Sequence, residues 1–228
     1  MRFIIGGIQR TSLLDFPDKI SAIVFTQGCN FNCGYCHNPD LLNSKKDIYS
    51  TDVFFEFLDK RKGKLDGVVI TGGEATLQPD LIPFIKEIKA RGFLVKLDTN
   101  GYRPDVLDQA LPLVDYVAMD IKAPLDKYPE ITKTEIDIEK IKKSINLLQT
   151  SKVPYEFRTT VIKSQLNYED FKKIGELIKG TQNYFLQKFE AKTAINDESL
   201  KNESSYSNEE FKEIIEILKE YNITAKLR

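Results

Sequence analysis

The chain has 228 residues, 41% of them hydrophobic and 29% charged, which is the composition of a globular protein able to bury a substantial core. Its 33 basic and 34 acidic residues nearly cancel, and an isoelectric point near 6.0 leaves no basic footprint for nucleic acid. Apolar runs such as residues 20–25 are too short to span a bilayer, and Met1-Arg2-Phe3-Ile4-Ile5 runs into Gly6-Gly7 without a signal-peptide core. The expectation is therefore one soluble cytoplasmic domain over residues 1–228, with no membrane and no nucleic-acid partner.

In chain order, a β-rich run at Ser21–Thr26 leads into a loop that holds every cysteine. Residues 51–62 have helical apolar spacing, with Val53, Phe54, Phe57 and Leu58 on one face. A strand at 67–71 closes on Gly72-Gly73-Glu74, and a helix follows over 79–90. A strand at 93–98 then runs into Thr99-Asn100-Gly101, a turn signal. A helix over 105–111 precedes a strand at 116–121, which carries Asp120 and leads to Lys122. Helix 138–148, strand 155–162, helix 168–178 and strand 184–189 continue the alternation. The polar stretch 192–207 reads as an exposed loop. Helix 208–220 follows, with Ser207 as N-cap and Glu210 three residues on, and then a closing strand at 223–227.

Strictly alternating strands and helices demand a parallel sheet with helical crossovers, here about six β/α units of a partial barrel. In such folds chemistry gathers at the C-terminal ends of the strands. Cys29, Gly72-Gly73-Glu74, Asp98-Thr99-Asn100 and Asp120-Ile-Lys122 all fall there.

The three cysteines occupy eight residues, Cys29-x3-Cys33-x2-Cys36, within Gly28-Cys-Asn-Phe-Asn-Cys-Gly-Tyr-Cys-His-Asn-Pro39. An odd number packed this tightly is no disulfide framework. A glycine- and asparagine-bearing loop can turn three thiolates toward one point. A structural zinc ion wants four ligands, and His37 is the fourth on offer, although its position next to Cys36 strains the chelate. A [4Fe–4S] cluster usually takes four cysteines, so three would leave one iron open to an outside ligand. An inert buried trio is the third reading.

Cys-x3-Cys-x2-Cys with an aromatic before the third cysteine resembles the radical SAM superfamily. The fuller string through Cys36-His-Asn-Pro39 resembles its glycyl-radical-enzyme activating proteins. Gln9-Arg-Thr-Ser-Leu-Leu-Asp-Phe-Pro17 adds a likeness to those that activate anaerobic ribonucleoside-triphosphate reductase. The resemblance is strongest over residues 8–42 and continues to about residue 190. It implies a (β/α)6 partial barrel, a [4Fe–4S] cluster on Cys29, Cys33 and Cys36, and S-adenosylmethionine (SAM) chelating the open iron. It also implies a flavodoxin or ferredoxin as electron donor and a glycyl-radical enzyme as protein substrate.

The remaining site residues each have a bland alternative. Gly72 and Gly73 would expose backbone to the methionine end of SAM and Glu74 would accept from its ammonium, or the three form an ordinary turn. By resemblance to pyruvate formate-lyase activating enzyme, Asp98, Thr99 and Asp120 frame a monovalent cation beside SAM, and Lys122 pairs with the SAM carboxylate. Otherwise Asp98 caps a turn and Asp120 and Lys122 form a surface pair. Arg158 reaches the same carboxylate or makes an interior ion pair. Phe189 stands where that pattern has a ribose-binding histidine, and Gln187 is the substitute. Tyr35 fills space or shields the cluster. Rival functions are a small-molecule radical enzyme, such as a 7-carboxy-7-deazaguanine synthase, and a non-catalytic zinc module. About six units leave a barrel open at the side, which a docked protein could plug.

Overall fold

The computed structural model describes residues 1–43, 49–191 and 195–228. Its strands are β1 (Ile5–Ser12), β2 (Ser21–Thr26), β3 (Gly67–Gly72), β4 (Leu94–Thr99), β5 (Tyr116–Asp120), β6 (Tyr155–Val161), β7 (Tyr184–Lys188) and β8 (Ala225–Leu227). Strands β1, β2, β3 and β4 neighbour one another in chain order, and so do β6, β7 and β8. The helices are α1 (Asp40–Asn43), α2 (Thr51–Asp59), α3 (Leu81–Ala90), α4 (Pro104–Ala110), α5 (Tyr128–Thr132), α6 (Ile138–Thr150), α7 (Tyr168–Leu177) and α8 (Asn208–Lys219). The pairs β2–α2, β3–α3, β4–α4, β5–α6, β6–α7 and β7–α8 are the β/α units expected from the alternation, so the chain is an α/β protein.

The chain divides into two compact units. The first comprises residues 1–30, 40–118 and 151–154. Within it β1 pairs antiparallel with β2, whereas β2, β3 and β4 are parallel, with Ala22 opposite Val68 and Val68 opposite Val95. Strands covered on both faces read as continuous apolar runs, as Ala22-Ile-Val24 and Val68-Val-Ile70 do. One face packs Phe16 on Ile23 and Val69, bordered by Phe25, Leu94 and Tyr116. Elsewhere Phe84 of α3 stacks on Phe3 with centroids 3.7 Å apart and meets Phe54 and Phe55 of α2. The buried face of α2 is thus Phe54, Phe55 and Leu58, and Val53 is 52% exposed, against the face expected from its spacing. Burying Phe55 under the Arg91 guanidinium, 4.4 Å from its ring centroid, rotates the helix away from the expected stripe.

The second unit comprises residues 31–39, 119–150 and 155–228. Here β6, β7 and β8 are parallel, with Phe157 opposite Tyr184 and Tyr184 opposite Ala225. Ser207 and Glu210 close the expected capping box at the start of α8, and Asn167 and Asp170 close another on α7.

The stretch expected as an exposed loop over 192–207 is corrected. Residues 192–194 lie outside the described residues. A 3-10 helix at Glu198–Asn202 follows, and Ile195, Leu200 and Tyr206 are all buried. Tyr206 donates its hydroxyl hydrogen to Leu166 O at 2.9 Å and meets Phe171 and Phe211 edge-on. Three apolar or aromatic residues in a polar stretch, Ile195, Leu200 and Tyr206, are enough to anchor it.

Candidate active site

Because β2, β3 and β4 are parallel, Thr26, Gly72 and Thr99 end on one edge of the first unit. Chain leaving β2 turns at Gly28, whose φ of 86° suits a residue without Cβ, and reaches Cys29. β3 is drawn onto this turn, with Gly73 N donating to Thr26 O at 2.9 Å and Glu74 N to Gly28 O at 2.8 Å. A Cβ at Gly72 would stand 2.3 Å from Thr26 N, and one at Gly73 would stand 2.2 Å from Gly28 O. The glycine pair is therefore needed for this close approach of two backbones, a reason that the sequence did not reveal.

Glu74 is 1% exposed. Its Oε1 accepts from Thr76 N, Thr76 Oγ1 and Thr99 Oγ1, and its Oε2 from Asn100 N at 2.6 Å. Burial pushes this carboxyl up, and the donors pull it back only in part. Glu74 thereby pins the end of β4 to the end of β3. Asn100 is 5% exposed and donates from Nδ2 to Asn30 Oδ1 at 2.9 Å, with Cys29 Sγ at 4.0 Å. The sequence places Asn100 in a turn signal at the strand end where chemistry gathers and gives its side-chain amide no role of its own. Asp98 accepts from Lys96 Nζ at 2.6 Å, and Lys96 of β4 is only 2% exposed.

On the second unit, Cys33 is buried and its carbonyl receives Cys36 N at 3.2 Å. Burial pushes the Cys33 thiol up, and the Lys122 ammonium acts against that. Asn32 N donates to Thr132 O at the end of α5. A short segment then fastens the loop from the far end of the chain. Asn196 Nδ2 contacts Cys33 O at 3.1 Å, Asn32 O at 3.3 Å and Asn32 Oδ1 at 2.8 Å. Asn196 N donates to Cys36 O and Asp197 N to Gly34 O. Lys133 holds Asp197 in an ion pair, and a Cβ on Gly34 would stand 3.1 Å from the Asp197 Cβ. Asn196 and Lys133 are site residues missed from the sequence, because their contacts to Cys33 and Asp197 span 163 and 64 positions.

Asp120, at the end of β5, accepts from Arg158 Nε and Lys122 Nζ, each at 2.9 Å on a different oxygen. Burial alone would raise the Asp120 carboxyl, yet the two cations hold it well below the usual range, and Lys122 rises well above its own. Asp120 and Lys122 are 28% and 15% exposed, so they are no solvated surface pair. Lys122 Nζ stands 5.8 Å from the Tyr35 ring centroid, and Lys122 N donates to Tyr128 Oη. His37 stacks on Phe189 with centroids 5.9 Å apart. Phe189, expected by resemblance where a ribose-binding histidine would stand, therefore packs against the chain's single histidine. Gln187 is half-buried on β7 opposite Thr160.

Among the described residues no three His, Cys, Asp or Glu side chains already converge as a metal site. The donor set nevertheless suits a bound sulfide-rich group. On the second unit Cys33 and Cys36 share one loop, and Tyr35 Oη beside them is a buried donor with no partner among the described residues; on the first unit Asn30, next to Cys29, has an Nδ2 that is likewise buried and unpartnered. Unmet buried donors beside thiols are what an incoming group with acceptor atoms would satisfy.

The family model for the radical SAM superfamily matches residues 23–178. A Methanocaldococcus jannaschii protein with the provisional name glycyl-radical enzyme activating enzyme is 37% identical over 228 aligned positions, covering 97% of this chain and 94% of that one. The pyruvate formate-lyase-activating enzyme of Clostridium pasteurianum is 36% identical over 127 positions, 52% of each chain. In fold, a radical SAM methyltransferase from Sphaerobacter thermophilus superposes with a TM-score of 0.74 at 16% identity, covering 96% of this chain and 68% of that one. The chain belongs to the radical SAM superfamily and, within it, to the glycyl-radical-enzyme activating family, whose cofactors are a [4Fe–4S] cluster and SAM.

Proposed function

We propose that the chain cleaves SAM reductively and generates a glycyl radical on a partner enzyme, anaerobic ribonucleotide reductase. The observation that carries this reading is the donor set, three thiols within eight residues, with Cys29 near the Asn100 amide and Cys33 in the field of the Lys122 ammonium. Cys29, Cys33 and Cys36 would hold the cluster, and their thiols must give up protons as it loads. When bound, cluster and SAM supply one-electron cleavage of the S–C5′ bond and the hydrogen-abstracting adenosyl carbon that results.

The chain's own residues supply positioning and shielding. Lys122 and Arg158, oriented by Asp120, present positive charge to the SAM carboxylate. Gly72 and Gly73 would expose backbone to the amino-acid end of SAM, and Glu74 fixes the strand ends that border it. Buried Tyr35 keeps water from the thiols. Gln187 is the candidate for the ribose. A flavodoxin or ferredoxin in the cytoplasm would deliver the electron.

The reductase is favoured as partner by residues 9–17 and the Cys36-His-Asn-Pro39 string, the two stretches that resemble its activators. The test is anaerobic incubation of holoprotein with the reductase, SAM and a reductant, read by electron paramagnetic resonance. A glycyl doublet, absent when the reductase glycine is changed to alanine, is expected. SAM turnover coupled to a pterin, with no glycyl signal, would overturn the reading in favour of a small-molecule enzyme.

A further inference from the structure

Three residues were expected to frame a monovalent cation, and each is already engaged by its own unit. Asp98 accepts from Lys96 Nζ at 2.6 Å. Thr99 commits its hydroxyl proton to Glu74 and accepts from Gly101 N at 3.1 Å. Asp120 has one oxygen on Arg158 and the other on Lys122. In two of the three cases the engaging group is a fixed cation.

Lys96 is the informative residue. It is among the largest fully buried side chains, flanked along its strand by buried Val95 and Leu97. An ammonium taken out of water is costly unless a counter-charge receives it, and a lysine without a job at this position would be replaced by an apolar residue at no loss. Its Nζ stands on Asp98 Oδ1 at hydrogen-bond distance. A tethered ammonium and a free monovalent ion neutralise a carboxylate equally well, but the tethered one needs no salt and loses no translational freedom on binding.

We infer that this chain carries its own counter-ions, with the Lys96 ammonium replacing a monovalent cation on Asp98, so that SAM binding requires no added potassium or sodium. The inference rests on the reading of this edge as the SAM site. On the second unit Lys122 and Arg158 do the same for Asp120, and their surplus positive charge is left for the SAM carboxylate.

The test uses reconstituted holoprotein exchanged into choline chloride, potassium chloride or sodium chloride at equal ionic strength. SAM affinity is measured at equilibrium, along with the change in the reduced cluster's paramagnetic resonance on adding SAM. The wild-type dissociation constant should agree across the three salts to within about twofold, since no site competes for the ion. Lys96→Met should bind SAM about tenfold more weakly in choline and recover in potassium, the scale expected for losing one charged hydrogen bond. Wild-type affinity that rises several-fold with potassium overturns the inference, as does a Lys96→Met protein that binds SAM normally in choline. Should that variant fail to fold, the wild-type salt comparison alone decides. A holoprotein that binds no SAM in any salt would instead remove the SAM-site reading, and the inference with it.

Discussion

Replacing Asn196 with alanine removes a side chain whose Nδ2 touches Cys33 O, Asn32 O and Asn32 Oδ1, and leaves the backbone bonds of Asn196 and Asp197 to the loop in place. An amide nitrogen has two hydrogens, so at most two of the three contacts count as full bonds. At about 1 kcal/mol each, and less for the contacts to Asn32 that face solvent, the loss is about 1 to 2 kcal/mol. It falls on the loop rather than on the core, so the loop should open about 5- to 30-fold more often while overall unfolding barely moves. The assay is the rate of iron loss to a chelator from anaerobically reconstituted protein, followed by the cluster's visible absorption. A rate raised about 5- to 30-fold is expected, with the unfolding midpoint lowered by no more than a few degrees. Gly34→Val should act the same way, because its Cβ meets the Asp197 Cβ and Leu200 Cδ1 at 3.1 Å. Iron loss unchanged in both variants would refute the view that this segment fastens the cysteine loop.

Anaerobic reconstitution should give about four irons and four sulfides per chain, as one cubane requires, and Cys33→Ala should retain no full cluster. A complete cluster in that variant would remove Cys33 from the ligand set. Glu74→Ala strands four buried donors and should cost about 3 to 5 kcal/mol, seen as a lower midpoint in thermal unfolding. A loss below about 1 kcal/mol would mean that the strand ends hold without it. Asp120→Asn should weaken SAM binding while cluster content stays intact, and equal affinity would end the orienting role. The wild-type Asp120 carboxyl is held below the ordinary range, so its stabilisation is complete above the ordinary aspartate pKa and disappears only as pH falls through its lower folded value. SAM affinity should therefore show no step from this group between about pH 5 and 8, and a step that Asp120→Asn abolishes would contradict the ion-pair geometry.

Elements whose signal is local were legible. The strands at residues 67–71 and 184–189 and the helices of the second half fall within a few residues of their expected bounds, because apolar spacing and the Ser207 cap are written in adjacent positions. β1 was not read as a strand. Its Gly6-Gly7 and the polar Gln9-Arg-Thr11 suit a strand that ladders with β2 and meets only an isolated bridge, Ile5 to Tyr49, on its other side among the described residues, and such a strand lacks the apolar run of a central one. α5 and the 3-10 helix at Glu198–Asn202 are too short to show a period.

The candidate site divides along the same line. The cysteines fall within eight residues and were legible as a unit, whereas the groups that hold them come from the residue after β4 and from the segment after β7. A polar residue that serves a distant backbone carries no spacing of its own. Asn196 looks like any asparagine in a polar stretch until the carbonyls of Asn32, Cys33 and Cys36 are brought to it. Lys96 differs, since a lysine between Val95 and Leu97 in a buried strand is a local anomaly visible in the sequence. Reading it required only asking which charge could justify its burial, and Asp98 two residues on, reached from the same face of the strand, is the answer. The residues that bind can therefore be expected to announce themselves by motif, and those that position by a local cost that something remote or adjacent must offset.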